Sequence, residues 1–464
     1  MSSFPRAAAP LDPSALRARV DGDIVLAGDD DWDAARLAWN LAIDQHPAMV
    51  VLPESAADVA AVVAYAAEND LRVAMQGTGH GAGPRGGELS GAILVKTERM
   101  RGIEIDPVSR TARVEAGVLW AEVAEAAGQY GLAALAGSSP DVGVVGYTLG
   151  GGLSWLGRRY GLAASNVVSV EIVTADGAIR RIDAETDADL FWAVRGGGGS
   201  FGAVTAIEFA LFPVAEVYAG VMLWPIERAA EVLHAWREWT AEMPDDMTTV
   251  GRLLQLPPIP DIPEPLRGRS FVGVQAFYLG AEAEGAELVA PMRALGPEID
   301  TVATIPAAAL QHVHMDPEHP VPGLGDGMLL DDLPAAGIDA LVAAAGPGSG
   351  SPLLSVEVRQ VGGALATPAA GGGAVSHLDA DFVVFGIGIA MSPEQGAAVR
   401  AHVGVVREAL APWGAETAYL NFAERDIPGD NLFGPYTHHR LRAVKSAYDP
   451  ADLFRSNHPV APAR

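Results

Sequence analysis

Apolar residues recur with two different periods in the first half of the chain. After Ser55 they fall three or four positions apart as far as Ala66, which predicts a helix, and Asp58 three residues after Ser55 is typical of a helix N-terminus. Residues 71–75 then alternate between apolar and polar, as expected of a strand. The same patterns predict strands at 50–52, 93–95, 111–115, 167–174, 179–182 and 203–211, and helices at 33–43, 119–130 and 187–194.

The second half of the chain has longer strands separated by amphipathic helices. Strands are predicted at 218–224, 270–279, 353–361 and 381–390, and helices at 228–243, 282–295, 337–345 and 393–411. This order favours a sheet covered by helices on one face, with the other face free to cover a ligand. The loops at 255–268 and 346–374 are rich in Pro, Gly and Ala, and a last helix is predicted through Leu441 and Val444.

Composition excludes several classes of function. With 464 residues and 49% hydrophobic residues, the chain can bury a large core and form two or three domains. Its formal net charge of −27 and the lack of a basic patch exclude a nucleic-acid or anionic-membrane partner. There is no cysteine, which excludes disulfides, thiolate metal sites and a cysteinyl cofactor bond. Because residues 1–23 lack an uninterrupted apolar stretch and no run could span a bilayer, we expect a cytoplasmic protein.

A glycine-rich loop follows the predicted strand at 71–75. Residues 75–83 read MQGTGHGAG, with a glycine at every second position around His80. Bare N–H groups in such a loop form a concavity that suits phosphate oxygens. The loop is not a P-loop, since GxxxxGK[ST] is absent, and it does not match GxGxxG. At this point the glycines could equally form ordinary tight turns.

A second cluster of functional side chains lies in HVHMDPEH, with His312, His314, Asp316 and His319. The first three resemble the start of a dinuclear metallohydrolase signature, but Pro317 occupies the following ligand position and has no coordinating side chain. A metal site also needs further ligands on other loops, and the sequence has no matching cluster. We therefore expect a polar loop and no metal.

Five segments occur in an order that resembles a known family. They are QGTGHGAG (76–83), GSSPDVGVVGYTLGGGLSWLGRRYGLAASNV (137–167), RGGGGSFGAVT (195–205), YLNFAERD (419–426) and RLRAVKSAYDPADLFRSNH (440–458). Together they resemble the berberine bridge enzyme-like branch of the vanillyl-alcohol-oxidase, or PCMH-type FAD-binding, superfamily. The resemblance covers nearly the whole chain, although residues 215–415 resemble the family mainly in layout.

The resemblance implies an α+β fold with four parts. They are a lead-in at 1–45, a PCMH-type FAD-binding domain of two subdomains at 46–214, a substrate domain at 215–415, and a segment at 416–464 that completes the FAD domain. The substrate domain is expected to be an antiparallel sheet with helices on one face.

The resemblance also implies FAD as the cofactor, attached through His80 to the flavin 8α-methyl carbon. The usual Arg-x-Gly-Gly-His motif is Gln76-Gly77-Thr78-Gly79-His80 here, and a histidine that only lies near the flavin is the alternative. Relatives with two covalent bonds to the flavin have a cysteine where this chain has Ser139, so we expect at most one covalent bond to the flavin here.

Further FAD contacts are implied by position. The residues expected to line the cofactor are Gln76, Gly77, Thr78, Gly79, Gly81, Gly83, Gly137, Ser138, Val142, Gly143, Gly146, Gly150, Gly151, Leu162 and Asn166. Val204 is expected at the adenine end, and Asn421 and Asn457 near the isoalloxazine.

Catalysis in the family is hydride loss from a substrate carbon to flavin N5, and many members use the second tyrosine of Tyr-x-Asn-Tyr as a base. Here Phe422 stands at that position, so another base is needed. On the strand at 353–361, alternation places Glu357 and Arg359 on one face; a carboxylate there could accept a proton or hold an amine. A surface ion pair is the alternative, and Tyr419 and Gln360 are weaker candidates.

The resemblance therefore implies an oxidase that acts on a small alcohol, amine or polyketide- or alkaloid-like molecule and reduces O₂ to H₂O₂. A flavin dehydrogenase with another acceptor and, less favoured, a metallohydrolase stay open. The expected partners are this substrate and O₂.

Overall fold

The glycine loop lies at the end of a strand in a five-stranded sheet. The computed structural model describes residues 12–85 and 89–463. In spatial order the strands are Asp23–Val25, Met49–Leu52, Ala92–Lys96, Arg72–Gln76 and Phe454–Arg455. The last strand comes from the C-terminal end of the chain and pairs in parallel with Arg72–Gln76. The helix Ala56–Glu68 covers this sheet, and its Ser55 cap accepts the Asp58 N–H at 3.2 Å.

A second five-stranded sheet is antiparallel throughout. Its strands, in spatial order, are Ile103–Asp106, Thr111–Glu115, Ala203–Ala210, Val167–Val173 and Ile179–Ile182. The helices Trp120–Gly128, Val144–Leu149 and Ala188–Val194 pack in one core with it, around the buried side chains of Trp120 and Phe209.

The third sheet is antiparallel and takes eight strands from residues 216–389. Its spatial order is Ile299–Asp300, Glu216–Pro225, Ser270–Tyr278, Met247–Gln255, Ser355–Gln360, Phe382–Ile389 and Gly323–Leu330, with Ala303–Pro306 also paired to Glu216–Pro225. The helices Ala229–Thr240, Glu282–Ala294, Ala335–Ala345 and Pro393–Leu410 share one core with it. Val356 and Val358 point into that core, so the alternate residues of their strand face the other way.

Shorter elements connect these sheets. The remaining α-helices are Ser14–Arg17, Trp32–Ala35, Gly157–Tyr160, Gly429–Phe433 and Pro435–Tyr448. The 3₁₀ turns are Gly83–Arg85, Ala163–Asn166, Ile226–Arg228, Ala307–His312, Gly363–Leu365, Ala411–Trp413 and Leu420–Phe422. Within the described residues, no helix is both long and apolar enough to span a membrane.

The C-terminal helix is fastened to the first half of the chain by a buried lysine. Lys445 is fully buried, and its ammonium group lies 2.6 Å from Asp449 Oδ2 and donates to the Ser200 carbonyl at 2.7 Å. Asp449 in turn accepts the N–H of Phe454, which begins the last strand. A buried charge needs such partners, so this network fixes where the tail returns to the first sheet.

The α+β class and the antiparallel sheet with helices on one face are confirmed, but three local predictions were wrong. The helix predicted at 33–43 ends at Ala35, since the following residues turn toward the glycine loop and Trp39 donates its N–H to the Thr78 carbonyl. The strands Met247–Gln255 and Gly323–Leu330 were missed. Apolar and polar residues do not alternate along the first, and the second contains glycines because a Cβ at Gly327 would lie 2.8 Å from Phe422 Cβ.

Candidate active site

A cavity of about 1300 Å³ lies between the glycine loop and the open face of the eight-stranded sheet. Its walls also include residues 137–147, the loop 314–323 and the tail segment 419–424. A smaller cavity of about 150 Å³ shares Gln76, Gly77, Gly146 and Asn457 with it. Ligand pockets commonly measure about 300–1,000 Å³, so the larger cavity has room for more than one ligand.

Most of the predicted site residues surround this space. The larger cavity is lined by Gln76, Gly77, Thr78, Gly79, His80, Gly81, Gly137, Ser138, Val142, Gly143, Gly146, Asn421 and Asn457, and also by Glu357, Arg359 and Tyr419. Gly150 and Val204 line the smaller cavity. The structure therefore brings together residues from six separate parts of the sequence.

Four predicted residues lie behind this lining. Leu162 is fully buried in a hydrophobic cluster, and Asn166 donates to the Tyr160 and Leu162 carbonyls at 2.9 Å. Gly151 packs beneath a tyrosine ring, and Gly83 faces a glutamate side chain. Their contacts are with protein atoms that support the cavity wall.

Four glycines on the wall leave bare backbone facing open space. A Cβ added at Gly77, Gly81, Gly143 or Gly146 would meet no atom closer than 3.5 Å, so packing within the protein does not require glycine there. Glycine at such positions allows a ligand to approach the backbone closely, and exposed N–H groups suit phosphate oxygens. This wall fits the pyrophosphate of FAD.

His80 is held by three neighbours. Its ring stacks on Trp39 with the centroids 3.9 Å apart, and its Nδ1 lies 2.8 Å from the Thr78 hydroxyl. Its Nε2 lies 3.3 Å from Asp141 Oδ1, and among the described residues neither of these two buried atoms has a hydrogen-bond partner. Asp141 Oδ2 accepts the Trp39 indole N–H. Sequence reasoning missed Trp39 and Asp141.

Across the cavity, Glu357 and Arg359 form a buried ion pair. Their exposed fractions are 3% and 6%, and Arg359 Nη2 lies 2.8 Å from Glu357 Oε1, so this is not a surface pair. The guanidinium lies 4.5 Å from the Trp155 ring and 5.1 Å from the Phe422 ring. Phe422 therefore supports a cation where relatives carry a basic tyrosine.

His314, which belongs to the HVHMDPEH segment that suggested a metal site, lies beside the Glu357–Arg359 ion pair. The amide nitrogen of Gln275 donates to the Val313 carbonyl. The amide oxygen of Gln275 therefore lies on the other side, 2.7 Å from His314 Nδ1, and accepts the hydrogen that Nδ1 carries. His314 Nε2 lies 2.6 Å from Glu357 Oε2. Burial lowers the pKa of His314, and the charge of Arg252 acts in the same direction.

The Glu357 carboxyl is ionised. Burial by itself would raise its pKa, but Arg359, His314 and Arg252 together outweigh burial and hold the pKa well below its usual range. On the same wall Asp316 accepts from Ser138 and Ser139 at 2.9 and 2.6 Å. Ser139, expected in place of a linking cysteine, thus binds a carboxylate.

Tyr419 has a different environment. It is 3% exposed, and its hydroxyl accepts from Asn421 at 3.2 Å. Burial raises the pKa of Tyr419, so the phenol stays protonated at neutral pH.

The other groups considered for metal binding have protein partners. His312 lies 2.7 Å from Glu318, and in the described part of the chain no group of three or more His, Asp and Glu side chains could hold a metal ion. His312 therefore contacts Glu318, His314 contacts Gln275, and Asp316 contacts Ser138 and Ser139.

The cavity opens through an apolar rim. Ile259, Met315 and Met391 line it and are 44%, 42% and 75% exposed. Exposed apolar side chains grouped around an opening indicate a binding surface. The other apolar lining residues at this end are Leu254, Leu256, Ile262, Leu266, Val321, Ile387 and Ile389.

Glu424 lines the cavity beside Gly83 and has an unusual ionisation. Burial raises the pKa of its carboxyl to about 8, with a smaller contribution from the charge of Asp326. Because the pKa of Glu424 is higher in the folded than in the unfolded protein, its protonated form stabilises the fold. This contribution is complete below the unfolded pKa and is lost as the pH rises through 8.

We expect Glu424→Gln to remove this pH dependence. Between pH 5 and pH 9, the free energy of unfolding of the wild type should fall by about 2 kcal/mol relative to that of the variant. This fall is smaller than full burial of the carboxyl would give, because Glu424 faces a cavity. Thermal unfolding of both proteins across this range measures the difference. A difference that does not change with pH contradicts the assignment.

Comparison with known proteins agrees with this geometry. Residues 47–183 match the model of an FAD binding domain, and residues 418–461 match the model described as berberine and berberine like. The chain is 28% identical to (R)-6-hydroxynicotine oxidase of Paenarthrobacter nicotinovorans, over 96% of this chain and 97% of that protein.

Solved structures share the fold. A structure of 6-hydroxy-D-nicotine oxidase from Arthrobacter nicotinovorans superposes with a TM-score of 0.83 at 26% identity, covering 96% of this chain and 98% of that one. The wild-type BBE-like 1 protein of Physcomitrella patens gives a TM-score of 0.85 at 21% identity, over 98% and 100% of the two chains.

In sequence and in fold the chain is similar to the berberine bridge enzyme-like oxidoreductases. It is an FAD-dependent oxidoreductase. Its site includes the Trp39–Asp141 contact around His80 and the buried group of Arg252, His314, Glu357 and Arg359.

Proposed function

We propose that this enzyme is an oxidase that takes a hydride from a small organic substrate and passes the electrons to O₂, forming H₂O₂. The observation that carries the proposal is that His80 and Glu357 line the same cavity. When bound, FAD supplies the electron acceptor for the hydride. The protein binds and orients the substrate and moves its proton.

FAD attachment is part of this proposal. The glycine wall holds the pyrophosphate, and His80 bonds to the flavin 8α carbon. The stacking of His80 on Trp39 supports this role, since a fixed imidazole is a nucleophile near physiological pH. No second bond forms, because Ser139 cannot make a thioether.

Glu357 and His314 together accept the proton of the substrate. Glu357 alone is a weak base, because Arg359 stabilises its charge. His314 carries a hydrogen on Nδ1, and its Nε2 lies 2.6 Å from Glu357 Oε2. A proton released by the substrate is held between these two atoms.

The cavity favours a substrate with an apolar body and one polar end. The apolar rim binds the body, and the ionised Glu357 at the inner end holds an amine or a hydroxyl group. The relative named for 6-hydroxynicotine is a precedent for an amine.

The acceptor is tested by reoxidation. Enzyme reduced with dithionite under anaerobic conditions is mixed with air-saturated buffer in a stopped-flow instrument, with free reduced FAD as the control. We expect reoxidation faster than that of free FAD and one H₂O₂ for each flavin. Slow reoxidation by O₂ with fast reoxidation by a quinone identifies a dehydrogenase instead.

A peroxide-coupled screen of amines, alcohols and sugars, begun with 6-hydroxynicotine, then tests the substrate class.

A further inference from the structure

Asp141 makes a contact with His80 that packing alone does not explain. The Asp141 side chain is 18% exposed, and its Oδ1 atom is buried 3.3 Å from His80 Nε2 with no hydrogen-bond partner among residues 12–85 and 89–463. Its other oxygen accepts the Trp39 indole N–H, which fixes the carboxylate. A buried carboxylate oxygen aimed at a ring nitrogen is costly unless that nitrogen carries a hydrogen.

This contact selects the tautomer of His80. A carboxylate only accepts hydrogen bonds, so it favours the ring form with the hydrogen on Nε2. Nδ1 then has a free lone pair, which accepts the Thr78 hydroxyl at 2.8 Å. Trp39 stacks on the ring and holds it in this orientation. The nucleophilic nitrogen of His80 is therefore Nδ1.

We propose that Asp141 is a positioning residue for covalent flavin attachment, which keeps the hydrogen of His80 on Nε2 and accepts that proton as Nδ1 forms the bond. This inference rests on the proposed attachment of FAD to His80. The bond joins Nδ1 to the 8α carbon and removes one hydrogen from the ring nitrogen and one from the methyl group. O₂ accepts these two hydrogens with their two electrons and becomes H₂O₂, so atoms and electrons balance.

The test compares Asp141→Asn and Asp141→Glu with the wild type. For each purified holoprotein, the total bound flavin and its acid-stable fraction are measured, and the conversion of the remainder is followed in air. We expect Asp141→Asn to bind a similar amount of FAD but to attach it at least tenfold more slowly. Asp141→Glu keeps a carboxylate and should attach flavin faster than Asp141→Asn.

Asp33→Asn is the matched control, because Asp33 is an exposed carboxylate that pairs with Arg36 and does not line the cavity. We expect its attachment rate to equal that of the wild type.

Three outcomes decide the matter. If the wild type has no acid-stable flavin, the proposed attachment itself is wrong. If the wild type attaches flavin and Asp141→Asn does so at the same rate, only the role of Asp141 is wrong. If Asp141→Asn loses bound FAD, the Asp141→Glu protein decides: attachment at the wild-type rate supports the role of the carboxylate, and loss of FAD there as well overturns it.

Discussion

Replacement of His80 by alanine should yield a yellow protein that loses all of its flavin on acid precipitation, whereas the wild type keeps its flavin in the precipitate. The glycine wall and the other cavity residues do not depend on the His80 side chain, so FAD should still bind. Only the proposed bond to the 8α carbon is removed. Flavin fluorescence of the protein band on a denaturing gel, and the intact mass, measure the change.

His312→Ala is the control for this experiment. His312 is an exposed histidine that pairs with Glu318 and does not line the cavity, so the variant should keep acid-stable flavin. If the His80→Ala protein still carries acid-stable flavin, another residue is the point of attachment. A wild-type protein without acid-stable flavin shows that the cofactor is held by non-covalent contacts alone.

Strands with one apolar face were predictable from the sequence. In Ser355–Gln360 the alternate valines pack on the helices, and so Glu357 and Arg359 had to face the other side. Met247–Gln255 has no such contrast, because apolar and polar residues do not alternate along it and Gly251 interrupts the pattern, although it is as buried as Ser355–Gln360. Periodicity identifies a strand only where one side differs from the other.

The glycine loop was also predictable, but its partners were not. Trp39 and Asp141 are separated by 102 residues, and they meet only because the lead-in folds onto the loop. Neither residue belongs to a local pattern. A single sequence gives no signal for such a long-range contact.

His314 illustrates a different difficulty. Its neighbourhood in the sequence suggested a metal site, because His312, Asp316 and His319 lie close by. In the fold, His314 turns toward Gln275 and Glu357 instead, and His312 turns toward Glu318. Spacing along a loop does not decide which side chains point into the same space.

Glu357→Gln should lower the rate of flavin reduction by substrate by about 10²- to 10⁴-fold, with bound flavin unchanged. Glutamine keeps the shape of the side chain but removes the charge that holds the substrate and stabilises the shared proton. Anaerobic stopped-flow mixing with the best substrate from the peroxide screen measures this rate. Glu298→Gln, which removes an exposed partner of Arg269, should leave the rate unchanged.

The pH profile separates this role from a purely structural one. Neutral His314 is needed to share the proton, and because burial lowers its pKa, the wild-type rate should stay constant down to about pH 6.5 and fall only below it. In Glu357→Gln this acid limb of the profile, the fall in rate at low pH, should begin at a lower pH than in the wild type. The reason is that the neighbouring negative charge that favours protonated His314 is gone. A wild-type rate in Glu357→Gln, or an unchanged acid limb together with a reduced rate, would show that the proton leaves the substrate by another route.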